Sequence, residues 1–406
     1  MEPGTIWLLI TAALVLFMTP GLAFFYGGLV KAKSVVSMMM LSFGAMGLVF
    51  VLWILYGFNM GSTGDDLIDG VLGNPFSDFA LSDMAANDPA SLAGVAFGST
   101  FAVITTALIS GAVADRARFF SWMVFAGLWA TIVYFPSQGW VWGLDGDGEL
   151  SGWIGQFGFG DTEVLDWAGG TVVHISAGAA ALALALVLGQ RRVGFTKADS
   201  APHNVPLVLI GAAILWFGWF GFNAGAAGDD GTGALIFVNT IAAPAAGVIG
   251  FLVVEHLKDG KATAVGAASG VVAGLVAITP ACANLTPWWS IVLGLVAGIA
   301  CCFAIDLKFK LGFDDSLDVV GLHLVAGFIG CLYLGFFATD TGLFTGGSLD
   351  QLLTQIVPAV AVAVYSFAVA YVLGKLIDAM IGFRAKEEDE IAGIDLALHG
   401  EGYRFD

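Results

Sequence analysis

Charge is scarce in this sequence. Only 12% of its 406 residues are Asp, Glu, Lys or Arg, while 58% are hydrophobic. Soluble domains carry about twice that charged fraction, so the composition excludes an ordinary soluble globular protein. Basic residues are rarer still, with 15 Lys and Arg against 33 Asp and Glu and a net charge of −18. So acidic a chain is poorly suited to the phosphate backbone, and we expect no nucleic-acid partner.

The sequence also has few residues of the kinds that hold metals or perform covalent catalysis. Its four cysteines lie in or beside apolar stretches, without a Cys-x-x-Cys pair and without a histidine at metal-ligand spacing. They are Cys282, Cys301, Cys302 and Cys331. We expect them to be buried as small hydrophobic side chains, with no metal site and no cofactor. No nucleophile with a neighbouring base stands out, so the sequence does not indicate an enzyme.

Long apolar runs are present instead. A helix needs about 20 residues to cross a bilayer, and eleven runs have about that length. They lie at 5–29, 36–59, 94–114, 119–143, 166–189, 205–228, 232–257, 262–281, 286–306, 318–338 and 351–383. The 56 glycines suit membrane helices that pack closely. The sequence therefore predicts an all-α integral membrane protein with eleven transmembrane helices in the lipid bilayer.

The basic residues predict how these helices are oriented. All 15 lie after an odd-numbered run or at the end of the eleventh, whereas the loops after even-numbered runs hold none and carry many acids. By the positive-inside rule the N-terminus is outside and the C-terminus is cytoplasmic. This divides the chain into a membrane domain (1–383) and a cytoplasmic tail (384–406). Eleven spans also fit two inverted five-helix repeats followed by one C-terminal helix.

Two histidines stand inside apolar runs. His174 is in the fifth run and His323 in the tenth, and each is followed four residues later by a glycine. Inverted repeats would bring the two rings from opposite sides toward mid-depth. A histidine bonded to a neighbouring helix carbonyl is the simpler alternative. Because ionisable groups are costly in a membrane, two in matched positions favour a transport pathway. Imidazole can both donate and accept a hydrogen bond, which suits a small solute or a proton.

Aromatic residues cluster near the predicted outer ends of several spans. An interfacial aromatic belt accounts for such clusters, and a site that attracts cations to ring faces is the alternative. Asp166 begins the fifth run just before two glycines. It is expected to cap the helix, with direct binding of a cation as the other possible role.

Seven segments resemble the Amt/MEP/Rh family of ammonium transporters, in particular its microbial Amt branch. They are FFYGGLV (24–30), ISGAVADRARF (109–119), DWAGGTVVHISAG (166–178), WFGFNAG (219–225), TPACA (279–283), DVVGLHLVAG (318–327) and GIDLALHGEGY (393–403). They occur in order from the first span to the tail.

The resemblance implies a role for eight positions in the pathway. They are His174 and His323 as pore histidines, Phe101 and Phe222 as a gate, Phe101, Trp142, Asp166 and Ala226 at an outer ammonium site, and Trp219 in the lower pore. Many relatives have serine where this chain has Ala226, which cannot form a side-chain hydrogen bond. We therefore expect a modest loss of ion affinity compared with serine.

The resemblance also implies partners and a location. The family forms homotrimers in the cell membrane, accepts methylammonium as an analogue, and can respond to cytoplasmic PII-type signal proteins through its tail. The corresponding tail residues here are Gly393, Asp395, His399, Gly400 and Glu401. The expected function is that of an ammonium transporter or channel. It recruits NH4+, deprotonates it and conducts NH3, with or without the proton. An electroneutral ammonia/CO2 channel of the Rh type and an ammonium sensor remain as alternatives.

Overall fold

The chain folds into a bundle of long helices. The computed structural model describes residues 2–62, 65–145, 148–192, 194–197 and 200–403. The last three residues of the predicted tail, with the basic residue Arg404, lie outside the described residues. In the described part of the chain, ten helices are long and apolar enough to cross a membrane, and an eleventh apolar helix has 15 residues. The prediction of an all-α fold with long apolar helices is therefore confirmed.

We number these eleven helices in chain order. They are α1 (Pro3–Leu29), α2 (Val35–Met60), α3 (Leu92–Val113), α4 (Phe119–Trp142), α5 (Gly170–Leu188), α6 (Val205–Ala224), α7 (Asp230–Asp259), α8 (Ala264–Ile278), α9 (Pro287–Leu311), α10 (Val320–Phe337) and α11 (Leu349–Ile381). Each overlaps one predicted run. The shorter elements are the antiparallel strands Asp66–Ile68 and Leu72–Gly73, the 3-10 turn Phe79–Leu81, and the helices Ser82–Asn87, Glu387–Ala392 and Ile394–His399.

Polar side chains set several helix ends. Asn204 caps α6, Asp229 caps α7 and Thr263 caps α8, each by accepting a hydrogen bond from a backbone N–H of the first turn. Such caps satisfy donors that have no partner within the helix. Helix α7 ends at Gly260, whose φ of +75° is the left-handed conformation that favours glycine. These local signals explain why the apolar sequence between residues 205 and 278 is divided into three helices.

Helices α1 and α6, the first of each predicted repeat, pack directly on each other through glycine. A Cβ atom at Gly211 would lie 2.3 Å from the backbone nitrogen of Phe25, and one at Gly28 would lie 2.7 Å from that of Val208. The two backbones therefore touch, as small residues allow in membrane helices. Helices α5 and α10, the fifth of each predicted repeat, also cross closely.

Ion pairs join several loops at one end of the bundle, which we name the basic end. Asp314, after α9, pairs with Arg191, after α5, at 2.9 Å and with Arg116, after α3, at 3.9 Å. Lys258 of α7 pairs with Asp306 of α9 at 2.7 Å. The loops that follow odd-numbered helices thus lie together. We name the opposite end, where α4 ends and α5 begins, the acidic end.

Candidate functional site

Two histidines meet inside the bundle. His174 lies in a π-helical turn (Gly170–Ile175) that begins α5, and His323 lies in a π-helical turn (Val320–Leu324) that begins α10. Their Nδ1 atoms are 3.2 Å apart, and their stacked rings have centroids 5.3 Å apart. Both side chains are buried. The structure thus brings the two rings together, as their matched positions predict.

Asp166 builds the turn that leads into α5. Its carboxylate accepts hydrogen bonds from the backbone N–H groups of Gly169, Gly170 and Thr171 at 3.1, 2.5 and 3.0 Å, and another from the Thr171 hydroxyl. Gly169 has a φ of +109°, which favours glycine. Because the carboxylate is buried and occupied by donors of α5 itself, its contacts fit a helix cap rather than a direct cation ligand. The cap also explains why α5 begins at Gly170 and not at the predicted residue 166.

A second aspartate does the same at the start of α10, and the sequence reasoning missed it. The carboxylate of Asp315 accepts a hydrogen bond from Val320 N–H, five residues on, at 2.7 Å. Three residues after Asp315, Asp318 has a positive φ of +65°. His323 follows Asp315 by eight residues, as His174 follows Asp166. That equal spacing was visible in the sequence and could have identified Asp315 as the matching cap.

Aromatic rings stack on one side of the histidine pair. The Trp219 ring is 5.5 Å from the His174 ring and nearly parallel to it, with 22° between the planes. Its indole N–H donates to the Thr279 hydroxyl at 2.8 Å, which fixes the ring. The Phe222 ring, one turn further along α6, lies 6.1 Å from that of His174. The structure therefore places Trp219 beside the histidines.

Phe101 and Phe222 form a ring stack between the histidine cavity and a second space toward the acidic end. Their rings stack with centroids 4.1 Å apart and 23° between the planes. Phe222 lines a vestibule on one side of this stack and the histidine cavity on the other. The two phenylalanines predicted as a gate are thus in contact and lie between the two spaces.

The vestibule opens at the acidic end and holds about 430 Å³. The residues that line it are Gly94, Phe97, Gly98, Phe101, Tyr134, Gln138, Trp142, Leu144, Leu150, Trp167, Ala168, Phe222 and Ala226. The Trp142 ring meets the Phe101 ring edge-on at 6.0 Å, and its N–H donates to the Asp166 carbonyl at 2.9 Å. Phe101, Trp142 and Ala226 therefore all line the vestibule. Sequence reasoning did not identify Gln138, which lies outside the seven segments, and gave no role to Trp167, which lies within the segment 166–178.

The cavity behind the phenylalanine stack is almost entirely apolar. Its lining residues are Met18, Leu22, Phe25, Ile104, Leu108, Val173, His174, Leu215, Trp219, Phe222, Val272 and His323. The two histidines are the only titratable side chains among them. The buried Nε2 atom of His174 has no hydrogen-bond partner among the described residues. One ring nitrogen is thus free to accept or donate a proton within the cavity.

Buried charge surrounds the start of α10 at the basic end. Burial raises the pKa of the Asp315 carboxyl to about 6, although the Lys308 ammonium acts in the opposite direction. Burial also opposes ionisation of Asp314, but the guanidinium groups of Arg116 and Arg191 overcome it and hold the Asp314 pKa below its ordinary value. The two neighbouring aspartates therefore differ, because only Asp314 has two close arginines.

The tail docks on the start of α2. The Asp395 carboxylate accepts hydrogen bonds from Val36 N–H at 3.0 Å and Ser37 N–H at 2.8 Å, so a tail residue caps a membrane helix. Gly393 has a φ of +117°, and a Cβ atom there would lie 2.7 Å from the Lys33 Cβ atom. Close contact and backbone conformation both require glycine at this position.

The other three predicted tail residues lie further along. The His399 ring meets the Phe119 ring edge-on at 5.7 Å. Gly400 ends the helix Ile394–His399 in the left-handed conformation, and Glu401 is exposed. The structure therefore brings Asp395 and His399 against membrane helices and Gly393 against the loop between α1 and α2, whereas Glu401 is exposed.

Known proteins resemble this chain over nearly its whole length. The sequence model of the Ammonium Transporter Family matches residues 6–403. The chain belongs to the ammonium transporter family. It is 49% identical to an ammonium transporter of Mycobacterium tuberculosis, in an alignment that covers 99% of this chain and 90% of that protein.

Solved structures of Amt and Mep2 proteins have the same fold. A structure described as a sensor Amt protein superposes with a TM-score of 0.87 at 26% identity, over 98% of both chains. The crystal structure of Candida albicans Mep2 superposes with a TM-score of 0.83 at 32% identity, over 96% of this chain and 87% of that one. The family resemblance stated from the sequence is confirmed.

Proposed function

We propose that the protein transports ammonium across the cell membrane. It takes up NH4+ in the aromatic vestibule, removes a proton, and conducts NH3 past His174 and His323. The observation that carries this proposal is the direct contact of the two histidines, with Nδ1 atoms 3.2 Å apart in an apolar cavity behind a stacked phenylalanine pair. Membership of the ammonium transporter family supports ammonium as the solute.

Recruitment uses the rings of the vestibule. A cation is attracted to aromatic faces, more strongly where water is partly excluded. Trp142 and Phe101 present such rings, and the bond from the Trp142 N–H to the Asp166 carbonyl holds the indole in place. In this proposal Asp166 acts through that turn, as the residue that organises the outer site.

The ion loses its proton because the cavity beyond the gate is apolar. An unpaired cation is expensive in such an environment, whereas neutral NH3 is not. The phenylalanine rings must also move apart for passage, since their centroids are only 4.1 Å apart. NH3 then forms hydrogen bonds with the imidazoles, which are the only titratable groups among the described residues that line the cavity.

The histidine pair can also relay the proton. Two Nδ1 atoms at 3.2 Å form a hydrogen bond only if one carries hydrogen and the other does not. When the His174 Nδ1–H donates, its Nε2 atom is bare and can accept a proton, while His323 carries hydrogen on Nε2. Once His174 Nε2 has accepted a proton, the Nδ1 proton passes from His174 to His323, so that the positive charge moves from one ring to the other, and His323 then releases the proton on its Nε2. This relay supplies the proton route of an electrogenic transporter.

The topology in this proposal has eleven spans in two inverted five-helix repeats plus α11, with the N-terminus outside. The short helix α8 counts as a span because its twelve residues from Gly266 to Ile278, apart from Ala267, are buried against other helices. The basic end then faces the cytoplasm. We further propose a homotrimer with one pore in each subunit, and a tail that receives a PII-type signal protein through the segment from Gly393 to Glu401.

Purified protein in proteoliposomes on a solid-supported membrane tests the proposed function. An ammonium jump is expected to produce a transient inward positive current, and a smaller current with methylammonium. An electroneutral Rh-type channel would change the internal pH without a current. A sensor would bind ammonium with neither signal, and both of these outcomes would contradict the proposal.

A further inference from the structure

The vestibule has few groups that can accept a hydrogen bond from an ammonium ion. NH4+ has four N–H donors and no acceptor, so rings alone leave its donors unsatisfied once water is removed. Tryptophan can only donate, and the indole N–H groups of Trp142 and Trp167 already donate to the carbonyls of Asp166 and Asn223 at 2.9 and 2.7 Å. Ala226 offers no polar side-chain atom.

Among the described residues of the vestibule wall, two side chains remain as acceptors, and both lie on α4. Tyr134, Gln138 and Trp142 are four residues apart, so they form one row on the same face of the helix, leading inward from the mouth. Tyr134 is fully buried, whereas Gln138 is partly exposed in the vestibule. The amide of Gln138 is therefore the accessible polar group of this row, one turn inside Trp142.

The Gln138 amide has no hydrogen-bond acceptor role within the fold. Its Oε1 atom is buried and has no partner among the described residues. It rests against Gly61, where a Cβ atom would lie only 2.1 Å from Oε1. A half-turn about the last side-chain bond exchanges the oxygen and nitrogen ends of an amide, which have nearly the same size. This rotation places the carbonyl oxygen where the nitrogen now lies.

We propose that the side-chain carbonyl of Gln138 is the hydrogen-bond acceptor for the ammonium ion in the vestibule and determines its preference for N–H-bearing cations. It provides on α4 the polar contact that Ala226 cannot provide from the end of α6. The inference rests on the proposed function. Ring faces attract any small organic cation, whereas a directional oxygen distinguishes ammonium and methylammonium from tetramethylammonium, which has no N–H.

The test compares two substitutions of similar size. Gln138→Met keeps the length of the side chain but removes the acceptor, and Gln138→Glu keeps an acceptor. Q138M is expected to raise the half-saturating ammonium concentration about tenfold, which corresponds to ~1.4 kcal/mol, with the maximal current changed less than twofold. Q138E should keep the half-saturating concentration at or below that of wild type, because a carboxylate accepts the same hydrogen bond and adds negative charge. Q190M, at the basic end, is the matched control and should change neither quantity.

Two further measurements separate binding from structure. Inhibition by tetramethylammonium should be unchanged in Q138M, because the rings remain. Adding Ala226→Ser to Q138M should recover most of the lost affinity, because a hydroxyl returns to the wall. If Q138M does not yield folded protein, Gln138→Ala, which only removes atoms, takes its place.

The outcomes distinguish this inference from the proposed function. An unchanged half-saturating concentration in Q138M, or an equal rise in Q138M and Q138E, overturns the acceptor role while wild-type current stands. Absence of current in the wild type contradicts the proposed function itself.

Discussion

The segments before the two histidines use the same backbone device in different surroundings. In each, an aspartate accepts a hydrogen bond from the backbone N–H five residues on: Thr171 at 3.0 Å from Asp166, and Val320 at 2.7 Å from Asp315. In each, the residue three positions after the aspartate has a positive φ. A π-helical turn then carries the histidine eight residues after the aspartate.

The side chains around the two aspartates differ, because Asp166 lies at the acidic end of the bundle and Asp315 at the basic end. Asp166 is enclosed by donors of its own helix and by the Trp142 ring that lines the vestibule. Near Asp315, the Lys308 ammonium donates to the Asp315 carbonyl at 2.7 Å and pairs with Asp318 at 2.6 Å. The comparison indicates that the cap and the π-turn set the position of each histidine. The neighbouring side chains differ: the Asp166 segment lies beside the aromatic vestibule, and the Asp315 segment lies in a charged loop.

Removing the two caps should therefore have unequal effects. Asp166→Ala leaves three buried backbone N–H groups without a partner, each worth about 1–3 kcal/mol, so a loss of at least ~3 kcal/mol is expected. Asp315→Ala leaves Val320 N–H unpaired and should cost ~1–3 kcal/mol. Thermal unfolding in detergent measures both variants. A larger loss for Asp315→Ala would contradict the comparison.

The Asp315 cap should make the free energy of unfolding depend on pH. Burial raises the pKa of Asp315 to about 6, above the ~3.9 of an unfolded chain. The folded protein therefore holds this proton more tightly. The resulting stability is present below pH ~4 and is lost, by up to ~3 kcal/mol, as the pH rises to ~6.

Asp315→Asn isolates this effect because it cannot titrate. The difference in melting temperature between wild type and Asp315→Asn, measured from pH 4 to pH 7, should move in favour of the variant as the pH rises. A difference that stays constant across this range would show that Asp315 does not titrate there.

Alanine substitution of the two glycines that follow the histidines by four residues should also have unequal effects on stability. A Cβ atom at Gly178 would lie 2.5 Å from the backbone nitrogen of Leu324, which cannot move aside without displacing His323. A Cβ atom at Gly327 would meet its nearest atom, the Ile175 Cγ1, at 3.0 Å. Gly178→Ala is expected to cost ~1–3 kcal/mol and Gly327→Ala less.

Melting temperature and methylammonium uptake together test this difference. Gly178→Ala should lower both, and Gly327→Ala should leave uptake within about twofold, since its nearest contacts, the Ile175 Cγ1 at 3.0 Å and the Gly170 carbonyl oxygen at 3.1 Å, need to yield by only a few tenths of an ångström. Equal losses in the two variants would mean that the close crossing of α5 and α10 is not set at Gly178.

Much of the fold was predictable because bilayers demand long apolar helices and charges mark their ends. The histidine pair was predictable because an ionisable side chain inside an apolar run is rare and the two runs are matched. Helix α8 is shorter than its predicted run, since the chain leaves the helix in a turn at 279–284 that hydropathy does not register.

Other parts of the site were not predictable from hydropathy or motifs. Gln138 lines the vestibule because of the way α4 is rotated in the bundle. Its proposed role also depends on its three-dimensional neighbours, such as Gly61. Asp315 adjoins a second acid in the sequence, so its difference from Asp314 depends on where Arg116 and Arg191 lie in three dimensions. The docking of Asp395 on α2 joins residues more than 350 positions apart.

The most direct test of the account replaces both histidines. His174→Ala with His323→Ala is compared with wild type and with His256→Ala, an exposed histidine near the end of α7. We expect the double variant to lose at least about 100-fold of ammonium-dependent current and of methylammonium uptake, as for the loss of a positioned proton-transfer group, while His256→Ala transports as wild type does. Intact current and uptake in a folded double variant would contradict the central claim that the histidine pair is the pathway.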